Sequence, residues 1–363
     1  MPYVGLALLA TGLASGQETP APPCDLVFSL RQWEGEYASR DVAGGVRITP
    51  LASAIFGASV DGSGVREVVS LPPICDYPTF SPGADWLYFQ SNASGRYDVY
   101  RCRADGSEVT SVVDREALGD KWQDAYGYAL SADGSRIAYT VHDGERGTVV
   151  VAQSDGSDAR LVAPDLGYTY MAALDATGSR VALSGPARGY RLLRVDLPDG
   201  EPVMLTPDHP DSFAPQFTPD GSTLVFVRRD GDIYRIGVDG RDLRRLTQGN
   251  GYVEFRLSPK DEHGSTDGPH ISPDGRRIAY IALRDGVPNV CVMDLDGSRQ
   301  QQVTHRETPC GRVRWSPDGR FIAFVSFEGQ YPQLFVVSAE GGEPRQLTHL
   351  QGAVYFVNWR PHP

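Results

Sequence analysis

One short motif recurs along the chain, and it constrains the fold more than any other feature of the sequence. Residues 271–280 read Ile-Ser-Pro-Asp-Gly-Arg-Arg-Ile-Ala-Tyr, and residues 315–324 read Trp-Ser-Pro-Asp-Gly-Arg-Phe-Ile-Ala-Phe. Four earlier and more divergent copies begin at Phe80, Leu130, Leu174 and Phe217. Successive copies lie 43 to 54 residues apart, which is the range of the blades in a β-propeller.

The motif describes a tight hairpin turn with a strand on each side. Proline presets φ for a type I turn, aspartate tolerates the next position, and glycine adopts the left-handed conformation that closes the turn. A second turn signal, Asp-Gly or Glu-Gly, follows in every unit. Its glycines are Gly62, Gly106, Gly156, Gly200, Gly240, Gly297 and Gly341. Two hairpins and a connecting loop give four antiparallel strands in each unit.

These units predict an all-β fold, a single β-propeller of four-stranded blades. Six copies of the first turn and seven of the second leave one blade to be completed by both ends of the chain. Residues 354–361 align with the first strands of the earlier units, and the segments 26–30, 54–60 and 66–69 supply three more strands. We therefore expect seven blades with a terminal clasp. The alternative is six blades with residues 24–70 packed outside the ring as a cap.

The repeats resemble those of TolB and of the propeller domains of prolyl oligopeptidases and dipeptidyl peptidases. The shared pattern is Ser-Pro-Asp-Gly, Ile-Ala-Phe or Ile-Ala-Tyr, an Asp-Gly turn and Leu-Thr, and it covers residues 70–360. The resemblance implies the fold, whereas propellers of this kind serve many unrelated roles. TolB carries an α/β domain before its propeller, and the peptidases carry a catalytic hydrolase domain. We expect neither here, because about 24 residues precede the first predicted strand and none follow the last blade.

The charge of the chain argues against nucleic acid as a partner. The formal net charge is −12, whereas binding to a phosphate backbone requires clustered lysine and arginine. Lys121 and Lys260 are the only lysines, and the arginines are interspersed with acidic residues.

The N-terminus predicts export to the periplasm or the extracellular space. Residues 1–16 contain an apolar run that is too short to span a bilayer and that ends in small residues suited to signal peptidase. We interpret residues 1–16 as a signal peptide, 17–23 as a proline-rich spacer and 24–363 as the propeller. No basic residue precedes the apolar run, so a buried N-terminal strand is the alternative. There is no second apolar run, and we expect no membrane span.

Five cysteines in an exported chain permit two disulfides and one free thiol. Cys291 falls in a predicted strand and Cys310 in the loop that follows its blade, so we predict a disulfide between these two residues. The alternative is five buried free thiols.

The common catalytic motifs are absent from the sequence. It contains no G-x-S-x-G elbow, no phosphate-binding loop, no H-E-x-x-H zinc helix and no C-x-x-C pair. We therefore predict a non-catalytic protein without a cofactor.

The loops that connect successive blades are the best candidates for function, because a propeller gathers them on one face around its channel. We predict that this face binds a protein, a peptide or a glycan, since aromatic side chains with polar groups suit such partners. The predicted ligand-binding residues are Trp122, Asp124, Tyr126, Tyr168, Tyr170, His209, Tyr252, His263, His305 and His349.

Two other functions are consistent with the same residues. Histidines on separate loops could converge on a transition metal, which would make the protein a metal-dependent polysaccharide lyase or hydrolase. The chain could also be a regulatory propeller whose hydrolase is a separate protein. A purely structural interpretation, in which Thr-His ends each fourth strand and the aromatic residues cover blade junctions, is the simplest alternative.

Overall fold

The computed structural model describes residues 24–32, 52–186, 189–250 and 268–362. Within these residues the chain forms 28 strands in seven four-stranded antiparallel sheets. The helical segments are α1 (Arg115–Leu118) and a single 3-10 turn at Pro164–Leu166. No helix in these parts of the chain has the length and apolar character needed to cross a membrane.

The sheets are numbered as blades in chain order, and the last blade is shared by both ends of the chain. The first three strands are β1 (Leu26–Gln32), β2 (Ala52–Ala58) and β3 (Arg66–Val69). Blade 1 contains β4 (Cys75–Phe80), β5 (Trp86–Ser91), β6 (Asp98–Arg103) and β7 (Thr110–Ser111). Blade 2 contains β8 (Asp124–Leu130), β9 (Arg136–His142), β10 (Gly147–Gln153) and β11 (Arg160–Val162). Blade 3 contains β12 (Tyr170–Leu174), β13 (Arg180–Gly185), β14 (Arg191–Asp196) and β15 (Val203–Met204).

The remaining strands follow the same order. Blade 4 contains β16 (Ser212–Phe217), β17 (Thr223–Arg228), β18 (Ile233–Gly237) and β19 (Arg244–Arg245). Blade 5 contains β20 (His270–Ile271), β21 (Arg277–Arg284), β22 (Val287–Asp294) and β23 (Gln301–Gln302). Blade 6 contains β24 (Cys310–Trp315), β25 (Phe321–Glu328), β26 (Tyr331–Ser338) and β27 (Arg345–Gln346), and β28 (Ala353–Trp359) begins blade 7.

Blade 7 closes the ring with strands from both ends of the chain. Its sheet has the order β28, β1, β2, β3, with Leu26 opposite Trp359 and Leu30 opposite Val354. The C-terminus therefore supplies the innermost strand and the N-terminal segment supplies the outer three. Seven blades with a terminal clasp were predicted from the repeats, and the structure confirms them; the alternative of six blades and a cap is excluded.

The first strand of each blade lies in the inner ring, and at five of the seven junctions the neighbouring first strands contact each other. In six blades this strand has a residue with positive φ, and the ladder shifts register beside it. Such bulges bend a strand and re-aim its side chains. The six residues are Tyr77, Gly127, Met171, Ala214, Arg312 and Phe356.

The turn between the third and fourth strands packs against the preceding blade. Gly106 has φ +91°, and a methyl group there would lie 2.0 Å from the carbonyl oxygen of Val68 in blade 7. Gly156 has φ +95°, and a methyl group there would lie 2.3 Å from the carbonyl oxygen of Val112 in blade 1. Glycine is therefore required twice over, for the turn conformation and for close contact between blades.

A buried ion pair ties the clasp to blade 1. The Arg31 guanidinium donates to both carboxylate oxygens of Asp76, with Nε to Oδ1 at 3.1 Å and Nη2 to Oδ2 at 2.7 Å. It also lies 5.0 Å from the ring centre of Tyr355 and 4.8 Å from that of Phe356. One side chain of β1 thus contacts β4 and β28, which come from opposite ends of the chain.

The predicted disulfide between Cys291 and Cys310 is not formed, and all five cysteines are free and buried. Cys291 packs with Tyr280 in the apolar cluster that joins blades 4 and 5. Cys310 packs with Val290 and Val292 in the cluster that joins blades 5 and 6. Because side chains alternate along a strand, Cys291 faces the side of its sheet opposite to the one that packs on Cys310.

Candidate functional site

The connections between blades and the loops between second and third strands lie on one face, which we call the loop face. This follows from antiparallel pairing: the second and fourth strands of a blade run in the same direction, so both end on the same face of the ring. The repeat turns lie on the opposite face, which we call the turn face.

Five ring side chains meet on the loop face at blades 2 and 3. We call them the aromatic cluster, which consists of Tyr126, His142, Tyr168, Tyr170 and Tyr190. The hydroxyl groups of Tyr126 and Tyr168 are 3.0 Å apart and hydrogen-bonded. The rings of Tyr170 and Tyr190 meet edge to face with centroids 4.8 Å apart, and those of His142 and Tyr168 do so at 5.6 Å.

The elements that present the cluster come from two blades. Tyr126 lies near the start of β8, and His142 is the last residue of β9 in the same blade. Tyr168 lies in the connection to blade 3, Tyr170 begins β12, and Tyr190 directly precedes β14. Tyr170 is buried, whereas the other four side chains are half-buried and so present part of their surface to solvent.

The connection that carries Tyr168 is fixed by the residues beneath it. Thr169 is fully buried, its amide donates to the Gly147 carbonyl at 2.9 Å, and its hydroxyl accepts from the Val149 amide at 3.3 Å. A methyl group at Gly147 would lie 2.9 Å from the Tyr168 ring. The Tyr168 ring therefore packs closely on the Gly147 backbone, and its position depends on that glycine.

The polar atoms of the cluster are tyrosine hydroxyls and the nitrogens of one imidazole. Burial raises the pKa of Tyr126 to about 12, so its hydroxyl stays protonated at physiological pH. His142 Nδ1 accepts a hydrogen bond from the Gly144 amide at 3.0 Å, which fixes the orientation of the ring. A surface of rings and hydrogen-bonding groups suits the binding of a sugar ring, a proline or an aromatic side chain.

Two predicted binding residues have structural contacts instead. Trp122 is 4% exposed and belongs to the apolar core between blades 1 and 2. Asp124 accepts a hydrogen bond from the Tyr97 amide at 2.8 Å, which joins blade 2 to a loop of blade 1. Trp122 therefore packs beneath the loop face, and Asp124 links two of its loops.

The predicted histidines are not gathered into a metal site in the described part of the chain. His305 and His349 are exposed, and His209 is half-buried in the connection between blades 3 and 4. Among the described residues no group of three or more His, Cys, Asp or Glu side chains is arranged to hold a metal ion. The threonines before His305 and His349 have a structural role, because their hydroxyls accept from strand amides at 2.9 Å.

The structure therefore brings together three of the predicted residues, Tyr126, Tyr168 and Tyr170, and adds His142 and Tyr190. Tyr252 and His263 lie outside the described residues. His142 and Tyr190 were missed because they lie at loops between second and third strands, where the repeat motif leaves no mark. Their signal in the sequence is an aromatic ring at the end of a strand that adjoins such a loop.

The fold and the loop-face cluster define a seven-bladed propeller with a ring-lined surface at one junction. A family model described as the TolB beta propeller domain matches residues 260–362. This match confirms the predicted TolB-like repeats in residues 260–362.

Curated relatives agree with this assignment. The protein TolB homolog of Chlorobium luteolum is 26% identical over 211 residues, which are 58% of this chain and 34% of that protein. The Tol-Pal system protein TolB of Anaeromyxobacter dehalogenans is 29% identical over 179 residues, which are 47% of this chain and 38% of that protein. The chain thus spans little more than a third of the length of these relatives.

Solved structures show the same fold. The β-propeller domain of the trilobed protease from Pyrococcus furiosus superposes with a TM-score of 0.60 at 10% identity, over 92% of this chain and 95% of that one. An oligogalacturonate lyase from Vibrio parahaemolyticus gives a TM-score of 0.58 at 14% identity, over 90% of this chain and 86% of that one. At these identities the likeness concerns the fold alone.

Proposed function

We propose that the chain is an exported, non-catalytic propeller that binds a protein, a peptide or a glycan through the loop face. The observation that carries the proposal is the aromatic cluster, in which rings from two blades meet with part of their surface exposed. Rings with polar groups are enriched where proteins bind partners, because they bury a large area and still make hydrogen bonds.

A protein or peptide partner is favoured over a glycan by the relative named as a Tol-Pal system protein. The cluster has no carboxylate among its members and is held by hydroxyl and ring contacts. Such a surface binds by shape and hydrogen bonding. Export is supported by the apolar run and small residues of positions 1–16, which match a signal peptide.

The test compares the cluster with a tyrosine elsewhere on the loop face. Wild-type protein, a Tyr168→Ala/Tyr190→Ala double variant and a Tyr97→Ala variant are screened against a displayed peptide library and a glycan array. Tyr97 is 36% exposed and lies in a loop of blade 1. Ligands selected on wild type should bind the double variant at least about tenfold more weakly, because central aromatic anchors contribute most of the binding energy. They should bind Tyr97→Ala unchanged, and equal binding to all three proteins would contradict the proposal.

A further inference from the structure

One junction of the ring differs from the other six. At six junctions the glycine of the turn between third and fourth strands lies against a residue that belongs to, or directly follows, the fourth strand of the preceding blade. The pairs are Gly62 with Leu347, Gly106 with Val68, Gly156 with Val112, Gly240 with Leu205, Gly297 with Leu246 and Gly341 with Val303. The turn thereby fills the outer part of each of these junctions.

Blade 3 has a longer turn at the corresponding place. Its Gly200 amide bonds to the carbonyl four residues earlier, that of Asp196, at 2.7 Å. In the other six blades the glycine amide bonds to the carbonyl three residues earlier, as Gly156 does to Gln153 at 2.8 Å. A methyl group at Gly200 would first meet Asp196 of its own turn, at 2.3 Å. The turn of blade 3 therefore folds back on itself.

A groove of about 390 Å³ lies between this turn and blade 2. Val162 lies two residues after Arg160, just as Leu347 lies two residues after Arg345. Val162 lines the groove together with Leu161 and Leu197. Leu197 is half-buried and packs against the core between blades 2 and 3, whereas the half-buried Leu161 packs against the core between blades 1 and 2. The groove thus has an apolar lining, in which Val162 is 6% exposed and Leu161 and Leu197 are half-buried.

At other junctions a side chain of the fourth strand donates a hydrogen bond to a backbone carbonyl of the next blade's turn, and the groove has a donor at the same position. Arg345 Nη2 donates to the carbonyl of Val60, in the turn of blade 7, at 2.6 Å. Gln301 Nε2, at the same repeat position, donates to the carbonyl of Glu340 at 3.1 Å. Arg160 occupies this position in blade 2, and its side chain is 56% exposed beside the groove.

We propose that the groove between blades 2 and 3 is a docking site for a glycine-containing β-turn of a partner protein. The floor at Val162 and the donor at Arg160 match those that receive a turn at other junctions of the same ring. Arg160 pairs with Asp158 at 3.1 Å and lies 3.9 Å from Asp199 across the groove. An incoming turn would offer its backbone carbonyl to Arg160 and place its glycine in the groove that Leu161, Val162 and Leu197 line.

The probe is a cyclised hairpin peptide with the sequence of the turn at Val60-Asp61-Gly62-Ser63, which fills the slot beside Leu347. It is titrated against the full chain carrying labelled leucine and valine methyl groups. We expect shifts at Leu161, Val162 and Leu197, and at least tenfold weaker binding of a peptide with valine in place of its glycine. No methyl shift at millimolar peptide, or equal affinity of both peptides, would overturn the proposal.

A matched pair of variants tests the role of the arginine. Arg244 has the same position in blade 4, pairs with Asp242 and is also 56% exposed, but its junction is filled by the turn of Gly297. Arg160→Ala should weaken hairpin binding at least tenfold, and Arg244→Ala should leave it unchanged. Equal effects of the two substitutions would overturn the proposal. The groove lies on the turn face, so this result is independent of the aromatic cluster.

Discussion

Two glycine-to-alanine substitutions in blade 1, compared with each other, measure how much the contact between blades contributes to the stability of the closed ring. Gly106 and Gly95 both lie in turns with positive φ, +91° and +87°. A methyl group at Gly106 would lie 2.0 Å from the Val68 carbonyl oxygen, whereas nothing lies within 4 Å of one at Gly95. The two substitutions share the backbone strain, and only Gly106→Ala adds a clash with the clasp blade.

The magnitudes follow from these two contributions. Alanine in a left-handed conformation costs about 1–2 kcal/mol, and overpacking against backbone that must shift costs about 1–3 kcal/mol more. We therefore expect Gly95→Ala to lower the free energy of unfolding by about 1–2 kcal/mol and Gly106→Ala by about 2–5 kcal/mol.

The assay is urea unfolding of the two variants and wild type, followed by tryptophan fluorescence and circular dichroism. Equal destabilisation by the two substitutions would contradict this expectation, because it would mean that the turn of blade 1 does not press on blade 7. A larger effect of Gly95→Ala would refute it as well.

Three further predictions concern buried groups. Asp76→Asn should lower the free energy of unfolding by about 3–5 kcal/mol, because it leaves the Arg31 charge buried without its partner. An Arg31→Met/Asp76→Leu double variant should recover much of this loss. A loss below about 1 kcal/mol for Asp76→Asn in urea unfolding would contradict the prediction. Burial and the neighbouring Arg314 lower the pKa of His270 to about 3, so its contribution to stability is present above the ordinary pKa of 6.5 and is lost as pH falls towards 3. His270→Asn should flatten the dependence of stability on pH in this range, and an unchanged slope would be contrary evidence. Burial raises the pKa of all five thiols, so a thiol reagent should label none in the native protein and five after denaturation; fewer than five under non-reducing conditions would indicate a disulfide.

The repeat determined most of the fold in advance, because the two turn signals and their spacing require four strands in each unit. The clasp was predicted because the first turn occurs six times and the second turn seven times. Residues 354–361 have the pattern of a first strand, and no second strand follows them. Pairing of β28 with β1 bears this out. The disulfide was misjudged because spacing does not show which face of a strand a cysteine occupies.

The candidate site was predictable only in part. Tyr126, Tyr168 and Tyr170 lie close to connections between blades, which the repeat locates well. The orientation of Trp122 into the core depends on three-dimensional packing. The groove at blade 3 has a trace in the sequence, Leu197-Pro198-Asp199-Gly200, but one added residue in a turn does not reveal that a junction is left uncovered.

Site-specific photo-crosslinking in the producing cells tests the central proposal, binding at the loop face, most directly. A photoreactive amino acid replaces Tyr168 in the aromatic cluster or Val109, which is 39% exposed in a turn on the opposite face. We expect a discrete adduct from position 168 that is absent from position 109. Adducts of equal yield from both positions, or an adduct from position 109 alone, would contradict it.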